Sequence, residues 1–408
     1  MKKKDSKVRG KKSGGKQRNI QERNGPKNKK TPTPGQTRDE PATESPTKVF
    51  TMVEDMMNKP SSGPPSKGSG PPSKGRRSKM NRAQGTVTQP VNNREKPDTQ
   101  EQKDNCRRLV NWVIKTGPQG LIDMYNNEIK NWLPPCSTRY AFDANADKNR
   151  YNDVVCGDQH RVVLNLADGP HDYIHANEVS GFPLCNTFFC TQGPLANTII
   201  DFYRMICQRK VGIIIMLCET VEMGKPKCAQ YWPRKKDEKM SFGKFTVINK
   251  GTSTTHQIFT TELEVTSPAG KFNLKHFLWL GWPDRGVPST TLCALTLLKA
   301  PRTSSSPTIV HCSAGIGRTG SVVAIEYVIQ ATLSLSTMNL AEMIKEVRSK
   351  RLLAVQTDVQ FLYIARVLTE YYTVNVGKDV LQKDIKEFNV NAEKIFKNHN
   401  PNDVYAKK

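Results

Sequence analysis

The sequence divides near residue 105 into a part that cannot build a hydrophobic core and a part that can. Residues 1–100 contain no Trp, Tyr or Cys, and their 24 Lys and Arg against 9 Asp and Glu supply +15 of the chain's net charge of +24. A segment this polar cannot bury enough apolar surface to offset the conformational entropy lost on folding. We therefore predict a disordered tail, rich in Lys, Arg, Pro, Gly and Ser, over residues 1–104. One large domain should span 105–378, and the Lys- and Asn-rich residues 379–408 should form a loosely held polar extension.

The pattern of the predicted domain is a series of short apolar or alternating runs separated by helical periodicity. This pattern favours an α/β (α+β) fold, a single domain with a central twisted mixed sheet flanked by helices. The predicted strands are 162–166, 173–176, 211–218, 245–248, 260–265, 272–280 and 308–310. The predicted helices are 102–132, 197–210, 318–334, 339–350 and 358–373.

Two absences in the sequence bear on its location and cofactors. The longest apolar run, 211–218, is far shorter than the roughly twenty residues of a membrane helix, so we expect no transmembrane segment. The ten Cys form no Cys-x-x-Cys pair and no secretory signal precedes them, which favours reduced thiols in an intracellular protein and no metal site. We expect the cytoplasm, with the nucleus as an alternative.

The run His-Cys-Ser-Ala-Gly-Ile-Gly-Arg-Thr-Gly begins at His311 and lies between a predicted strand and a predicted helix. A short loop with glycines at a helix N-terminus can point several backbone N–H groups at one centre, which makes a phosphate-sized anion cradle. The same field should lower the pKa of the Cys312 thiol and activate it as a nucleophile, while Arg318 offers two phosphate oxygens a fork of donors. Alternatively, Cys312 is an ordinary buried thiol. The cradle residues are Ser313, Ala314, Gly315, Ile316 and Gly317.

A phosphoryl group transferred to Cys312 requires a general acid for the leaving oxygen. Asp284 lies in Gly-Trp-Pro-Asp-Arg-Gly-Val-Pro, residues 281–288, which follows a predicted strand and is bounded by Gly and Pro. We expect a lid that can move, with Asp284 as the acid and later as the base for the attacking water. Because an Asp after a Pro is usually a turn residue, this prediction depends on the cradle.

With these two motifs in order, the chain resembles the intracellular, non-receptor catalytic domain of the protein tyrosine phosphatase family over roughly 105–378. Further motifs that agree are 148–154, 172–174, 191–195, 227–233 and the group Gln356, Thr357 and Gln360. The resemblance implies hydrolysis of phosphotyrosine in proteins through a cysteinyl-phosphate. It implies no metal or other cofactor, so activity should persist in the presence of a chelator.

The resemblance also implies roles at the substrate pocket. Tyr151 would line a slot deep enough for phosphotyrosine and stack on its ring, and Asp153 would accept hydrogen bonds from the substrate backbone. Gln356, with Gln360 in support, would position water for hydrolysis of the intermediate.

Four further residues would support the chemistry if the resemblance holds. Glu222 would hold the fork of the cradle arginine, and Lys227 would reach the closed lid. Thr319 would donate to the departing thiolate, and His311 would orient the loop.

Three residues depart from the family's usual pattern. His175 stands where Asn is usual and Tyr203 where Trp is usual, and both positions belong to the scaffold, so they bear on stability or loop packing. Asn152 is neutral beside Tyr151, where a charge is common, so a preference for acidic residues flanking the phosphotyrosine should be weak there.

Two other classes of function remain open from the sequence. A pseudophosphatase would bind phosphotyrosine without turnover, but such proteins lose the Cys, the Arg or the lid Asp, and this chain has all three. Alternatively, the basic tail, with clusters such as 76–79, would make the protein a scaffold for nucleic acid, anionic lipid or an acidic protein surface.

Overall fold

The computed structural model describes residues 96–334, 339–376 and 382–399. Residues 1–95 of the predicted tail, and 379–381 and 400–408 of the predicted extension, lie outside the described residues. The fold begins earlier than predicted. Thr99 caps helix α1, Gln100–Met124, with its side chain on the Gln102 N–H while the Gln102 side chain accepts from the Thr99 N–H. This capping box fixes the start of the helix at residue 100.

A nine-stranded mixed sheet forms the centre of the described fold, which confirms the predicted fold class. Its strands are β1 Arg161–Val163, β2 Tyr173–Val179, β3 Phe188–Thr191, β4 Ile213–Met216, β7 Lys239–Phe242, β8 Phe245–Thr255, β9 Ile258–Ser267, β10 Gly270–Trp279 and β11 Thr308–His311. They lie in the order β1-β2-β3-β11-β4-β10-β9-β8-β7. A separate two-stranded hairpin consists of β5 Val221–Glu222 and β6 Lys225–Pro226.

Helices cover this sheet. They are α2 Ile199–Gln208, α3 Leu292–Thr303, α4 Arg318–Ser334, α5 Leu340–Lys350, α6 Asp358–Val376 and α7 Gln382–Asn398. Shorter helical segments are Tyr125–Ile129, Tyr140–Asp143, Ala146–Lys148, Leu166–Asp168 and Ala196–Thr198. No helix within the described residues is long and apolar enough to cross a membrane.

The sheet positions the two sequence motifs at one edge. β11 is buried and pairs in parallel with β3 on one side and β4 on the other, and β10 runs parallel to β4. The carboxyl ends of parallel strands meet at the same edge, which is where ligands bind in open α/β sheets. The loop that starts at Cys312 and the lid that carries Asp284 follow β11 and β10, so both emerge there.

The C-terminal segment is not a loose extension, and the prediction was wrong for residues 382–398. They form α7, which packs on α1 and α6 with Ile385, Phe388 and Ala392 buried. Arg366 of α6 pairs with Glu393 of α7 at 2.9 Å. The many Lys and Asn residues concealed a narrow apolar stripe, which is sufficient to hold an amphipathic helix.

Candidate active site

The cradle loop turns sharply between β11 and α4, and Gly315 makes that turn possible. Its φ is 73°, and a β-carbon there would lie 2.1 Å from the carbonyl oxygen of Thr191. No other residue fits such a space in the left-handed region. The Gly315 N–H donates to Cys312 Sγ at 3.2 Å, so the loop backbone is directed at the thiol.

Arg351 lies buried beneath the loop and fixes its carbonyl groups. It donates to the carbonyl oxygens of Gly315 and Ala314 at 3.0 and 3.1 Å, and to Asn177 Oδ1 at 2.7 Å. All three acceptors are neutral, so a positive charge lies directly under the cradle. Because the carbonyl and N–H of a trans peptide point in opposite directions, carbonyls held on Arg351 turn the following N–H groups towards the other side of the loop.

The guanidinium of Arg318, 1% exposed, is held by Glu222 from the β5–β6 hairpin. The two groups form a bidentate pair with N–O distances of 2.6 and 3.0 Å. Burial opposes the charged guanidinium, but the carboxylate outweighs burial and raises the pKa of Arg318. Arg318 also donates to the carbonyl oxygen of Trp282 at 3.1 Å, which connects the cradle to the lid.

The lid is closed, with Asp284 inside the site. Its carboxylate accepts from Lys227 Nζ at 2.6 Å and from Arg318 Nη2 at 3.2 Å. Burial alone would raise the pKa of Asp284, but Arg318 and then Lys227 lower it below its ordinary value. Two hydrogen bonds hold the lid. Trp282 Nε1 donates to the Gly286 carbonyl oxygen at 2.9 Å, and Thr357 Oγ1 donates to the Arg285 carbonyl oxygen at 3.2 Å.

The wall of the pocket is attached to the cradle. The hydroxyl oxygens of Tyr151 and Ser313 are 2.8 Å apart, and the Ser313 hydroxyl donates to the Lys227 carbonyl oxygen at 3.1 Å. The Ser313 proton is thus already used, so the Tyr151 phenol donates to Ser313. Asp153, two residues further along, is exposed. The phenol ring therefore stands at a fixed place beside the thiol loop.

Gln356 and Gln360 lie against Gly317 of the cradle loop. A β-carbon at Gly317 would be 3.0 Å from Gln356 Oε1 and 3.0 Å from Gln360 Nε2. Gln360 also accepts from the Gln356 backbone N–H at 3.0 Å, which ties the two side chains into one turn.

Two further buried residues were predicted to assist Cys312. His311 Nδ1 lies 3.2 Å from the Cys312 carbonyl oxygen. The hydroxyl of Thr319 is buried without a hydrogen-bond partner among the residues that the structure describes. The structure does not bring it into a hydrogen bond with Cys312 Sγ, and its donor role remains a prediction. Among the described residues, no group of His, Cys, Asp and Glu side chains could hold a metal ion.

Comparison with known proteins agrees with this geometry. The family model described as "Protein-tyrosine phosphatase" matches residues 145–370, more than half of the chain. This chain belongs to the protein-tyrosine phosphatase family. Its phosphatase domain is 34% identical over 287 residues to tyrosine-protein phosphatase non-receptor type 9 of Rattus norvegicus, an alignment of 65% of this chain and 48% of that protein. The chain thus spans about half the length of that curated relative.

Solved phosphatase structures show the same likeness. The catalytic domain of human protein tyrosine phosphatase non-receptor type 18 superimposes with a TM-score of 0.56 at 28% identity, covering 67% of this chain and 99% of that one. A structure of PTPN18 in complex with HER2-pY1248 phosphopeptides gives a TM-score of 0.53 at 32% identity, covering 56% of this chain and 89% of that one.

Sequence reasoning missed two contributors to this phosphatase site. Arg351 has no predicted role, although a charged residue directly before the apolar run 352–355 that leads to Gln356 is a signal. Tyr231 belongs to the 227–233 motif without a predicted role of its own, yet its hydroxyl lies 2.7 Å from His311 Nε2. Both side chains act through contacts distant in sequence.

The two scaffold departures lie close to the phosphatase site. His175 Nε2 lies 2.8 Å from the Val154 carbonyl oxygen, and its Nδ1 faces Arg351 at 3.4 Å, beneath the cradle. Burial lowers the pKa of His175 to about 3, so the ring is neutral. Tyr203 donates to the Tyr231 carbonyl oxygen at 2.6 Å, a hydrogen bond from the phenol oxygen.

Proposed function

We propose that this protein hydrolyses phosphotyrosine in proteins in two steps. Cys312 Sγ attacks phosphorus as the P–O bond to the tyrosyl oxygen breaks, and Asp284 protonates that oxygen. Water, deprotonated by Asp284 and positioned by Gln356, then attacks the cysteinyl-phosphate, and the S–P bond breaks to release phosphate and the thiolate. The observation that supports this best is the convergence of Cys312, Arg318 and Asp284 at one edge of the sheet, with Asp284 3.2 Å from Arg318.

The ion pair of Asp284 accounts for how a carboxylate with a lowered pKa becomes an acid. Without substrate, Asp284 lies against Arg318 and Lys227 and is ionised. A phosphate dianion in the cradle would take over Arg318 and place negative charge beside Asp284. Both effects favour the protonated carboxyl, so the substrate itself would load the acid.

Selection of phosphotyrosine would follow from the fixed position of Tyr151. Because its hydroxyl is bonded to Ser313, the ring stands as a rigid wall, and only a long aryl phosphate would reach Cys312 past it. Asp153 at the mouth would accept from the substrate backbone. The type 18 structure with HER2 phosphopeptides supports the same substrate class here.

The remaining residues would position these groups. Glu222 would keep the Arg318 fork oriented, and Lys227 would hold the closed lid. Thr319 would donate to the thiolate as it departs, and His311 and Gln360 would hold the loop and the water-positioning side chain.

Removal of the nucleophile tests this proposal. We expect Cys312→Ser in the full chain to abolish hydrolysis of p-nitrophenyl phosphate and phosphotyrosine peptide, since its hydroxyl is not ionised by the cradle. Cys136→Ser is the matched control, because Cys136 is an exposed free thiol. Activity of the parent should survive a chelator and stop with vanadate. A Cys312→Ser protein that still turns over substrate would overturn the proposal.

The lid residue separates chemistry from binding. Asp284→Ala should lower kcat by about 10²–10⁴-fold, the range for a lost general acid, while KM changes little because the interaction belongs to the transition state. A parent protein that binds phosphotyrosine peptide as tightly as Asp284→Ala but does not hydrolyse it would be a pseudophosphatase instead. Capture of phosphoproteins on Asp284→Ala, with and without residues 1–95, would identify substrates and any selection by the tail.

A second role for residues 1–104 is favoured by their net charge. We propose an intracellular protein whose tail binds a polyanion, such as nucleic acid, anionic lipid or an acidic protein surface, beside a catalytic unit that continues through α7. Binding of the full chain to anionic vesicles and to duplex DNA should weaken steeply with salt, and deletion of 1–95, which keeps the Thr99 cap of α1, should abolish it. Unchanged binding after the deletion would exclude the tail as the segment that binds the polyanion. Imaging of the tagged full chain would distinguish cytoplasm from nucleus.

A further inference from the structure

The hydroxyl of Tyr231 lies between two buried imidazoles. It is 2.8 Å from His276 Nε2 and 2.7 Å from His311 Nε2, and all three side chains are fully buried. A phenol has one proton, so Tyr231 donates to one ring and accepts from the other. The thioether of Met216, at 3.8 Å, is a weaker and more distant acceptor than either nitrogen.

The direction of the hydrogen bonds through these three side chains is fixed at the end nearest Cys312. His311 Nδ1 faces the carbonyl oxygen of Cys312, which can only accept, so Nδ1 carries the proton. Burial lowers the pKa of His311 to about 4, so the ring is neutral and its Nε2 is a bare acceptor. The Tyr231 hydroxyl therefore donates to His311.

The other end must then supply a proton. Tyr231 has given its own to His311, so His276 Nε2 donates to the Tyr231 oxygen. Burial lowers the pKa of His276 to about 3, which leaves one N–H on the neutral ring. Within the described ranges, His276 Nδ1 is buried without a hydrogen-bond partner, as expected for the nitrogen that lacks the proton.

We propose that His276 is a positioning residue for the nucleophile, acting through the chain His276 Nε2–H to Tyr231 O–H to His311 and from His311 Nδ1–H to the Cys312 carbonyl. The inference rests on the proposed role of Cys312. Donation from His276 strengthens the Tyr231 donor, since linked hydrogen bonds polarise one another. It fixes the His311 tautomer that holds the Cys312 carbonyl, and thereby turns the Ser313 N–H to the opposite side of that peptide.

The position of His276 gives this chain a connection to the lid. His276 lies on β10, which ends three residues later at Trp279, just before the lid. Its ring stacks on Trp232 with centroids 4.6 Å apart and planes inclined by 24°, so it cannot rotate freely. The strand that carries the lid and the loop that carries the thiol are thus joined by hydrogen bonds inside the core.

The titratable groups that interact with this chain keep a constant charge near neutral pH. His276 interacts with His311, and His311 with Arg150 and Arg318, which remain charged. Tyr231 interacts with buried groups whose pKa is raised by burial, so they remain neutral. These groups are Cys228, Tyr203 and Cys218. A shift in the titration of Cys312 in a His276 variant would therefore come from the altered hydrogen bonds.

Nitrogen-15 NMR of the parent protein, labelled at histidine, tests the order of the hydrogen bonds by showing which ring nitrogen carries the proton. We expect one imidazole with its proton on Nε2 and one with its proton on Nδ1, assigned to His276 and His311 by loss of their signals in His276→Gln and His311→Gln. A proton on His276 Nδ1 would overturn the inference. This result does not depend on turnover, so it is distinguishable from failure of the proposed function.

Variants test the consequence for the thiol. His276→Phe keeps a ring on Trp232 but has no donor, whereas His276→Gln keeps an N–H donor, and His160→Phe is the control at an exposed histidine. The readout is the pH midpoint of Cys312 alkylation by iodoacetamide, followed by mass spectrometry, with circular dichroism as the check on folding. Loss of the His276 donor weakens the linked hydrogen bonds by a fraction of one bond's energy, so the midpoint should rise by up to about 0.3 pH unit in His276→Phe.

The remaining outcomes follow from the same chain. The pH midpoint of His276→Gln should lie closer to that of the parent than to that of His276→Phe. In steady-state kinetics, His276→Phe should have a lower kcat with KM nearly unchanged. His276→Phe combined with Tyr231→Phe should shift the midpoint no further than Tyr231→Phe alone, because both break one path. An unchanged midpoint in folded His276→Phe, or additive shifts in the double variant, would show a role in packing only.

Discussion

Thr319 illustrates how a residue proposed to serve the chemistry can lower stability. Its hydroxyl is buried next to the arginine of the cradle and has no hydrogen-bond partner within the described part of the chain. A buried hydroxyl without a partner costs free energy that an apolar group of the same shape would not. If it is kept for the thiolate, stability and activity should respond in opposite directions.

Thr319→Val is therefore expected to leave the free energy of unfolding unchanged or raise it by about 1 kcal/mol, since an unsatisfied group is removed. The hydrolysis of p-nitrophenyl phosphate should nevertheless slow, mostly in kcat. Urea unfolding and steady-state kinetics measure the two effects, with Thr296→Val, on the half-buried surface of α3, as the control. A variant that is stable and fully active would remove Thr319 from the mechanism.

Gly315 has no tolerated replacement. A β-carbon 2.1 Å from the Thr191 carbonyl oxygen, on a residue with a φ of 73°, must displace the backbone of β3 or of the loop. We expect Gly315→Ala to lose activity by more than about 10²-fold, because displaced donors no longer meet the phosphate. Gly251→Ala is the control, since no atom of the described residues lies within 4 Å of its β-carbon position. An active Gly315→Ala protein would show that the loop geometry described here is not required.

At the level of single residues, the sequence predicts candidates for the chemistry but not the side chains that hold them. Cys312 and Arg318 lie in one continuous run, so the motif points to both. Tyr231 reaches His276 across 45 residues and His311 across 80, contacts that depend on the register of the sheet. Hydrophobic pattern does not encode which buried polar side chains will meet.

Helix α7 contradicts the prediction of a loosely held extension, and its contribution to stability can be measured. Phe388 is 3% exposed against α1 and α6, so Phe388→Ala should lower the free energy of unfolding by about 3 kcal/mol through lost burial and a cavity. Val390, 50% exposed on the same helix, is the control, and Val390→Ala should change stability by less than about 0.5 kcal/mol. Equal effects of the two substitutions in urea unfolding would show that α7 is not docked in solution.

Other elements were predicted according to the strength of their local pattern. The strands of the 211–218 and 272–280 runs and helices α4 to α6 were recognised because long apolar patterns define them. Strand β3 was not predicted, since its four buried residues are too few to show a strand periodicity. β7 is a half-exposed edge strand, and α3 contains Pro301, which obscures a helical pattern.

The whole molecule carries a cost at acidic pH that no single element reveals. Three histidines are fully buried and neutral, and burial lowers their pKa to about 3 for His175, about 3 for His276 and about 4 for His311. In the unfolded chain each would titrate near its ordinary value of about 6.5. Between these values the unfolded state binds protons that the folded state does not.

The free energy of unfolding should therefore fall as pH decreases from about 6.5 to 5, a window above the ordinary range of carboxylates. Stability rises with pH wherever the unfolded state binds more protons, and each histidine contributes up to about 1.4 kcal/mol per pH unit. His175→Asn keeps a side-chain acceptor that could face Arg351 but removes one titrating group, so it should reduce the slope by about a third. Urea unfolding of parent and variant at several pH values measures this slope.

His160→Asn, at an exposed histidine, should leave the slope unchanged. Identical slopes for the parent and His175→Asn would contradict this prediction. They would mean that His175 is protonated in the folded protein at these pH values, despite its burial beside Arg351.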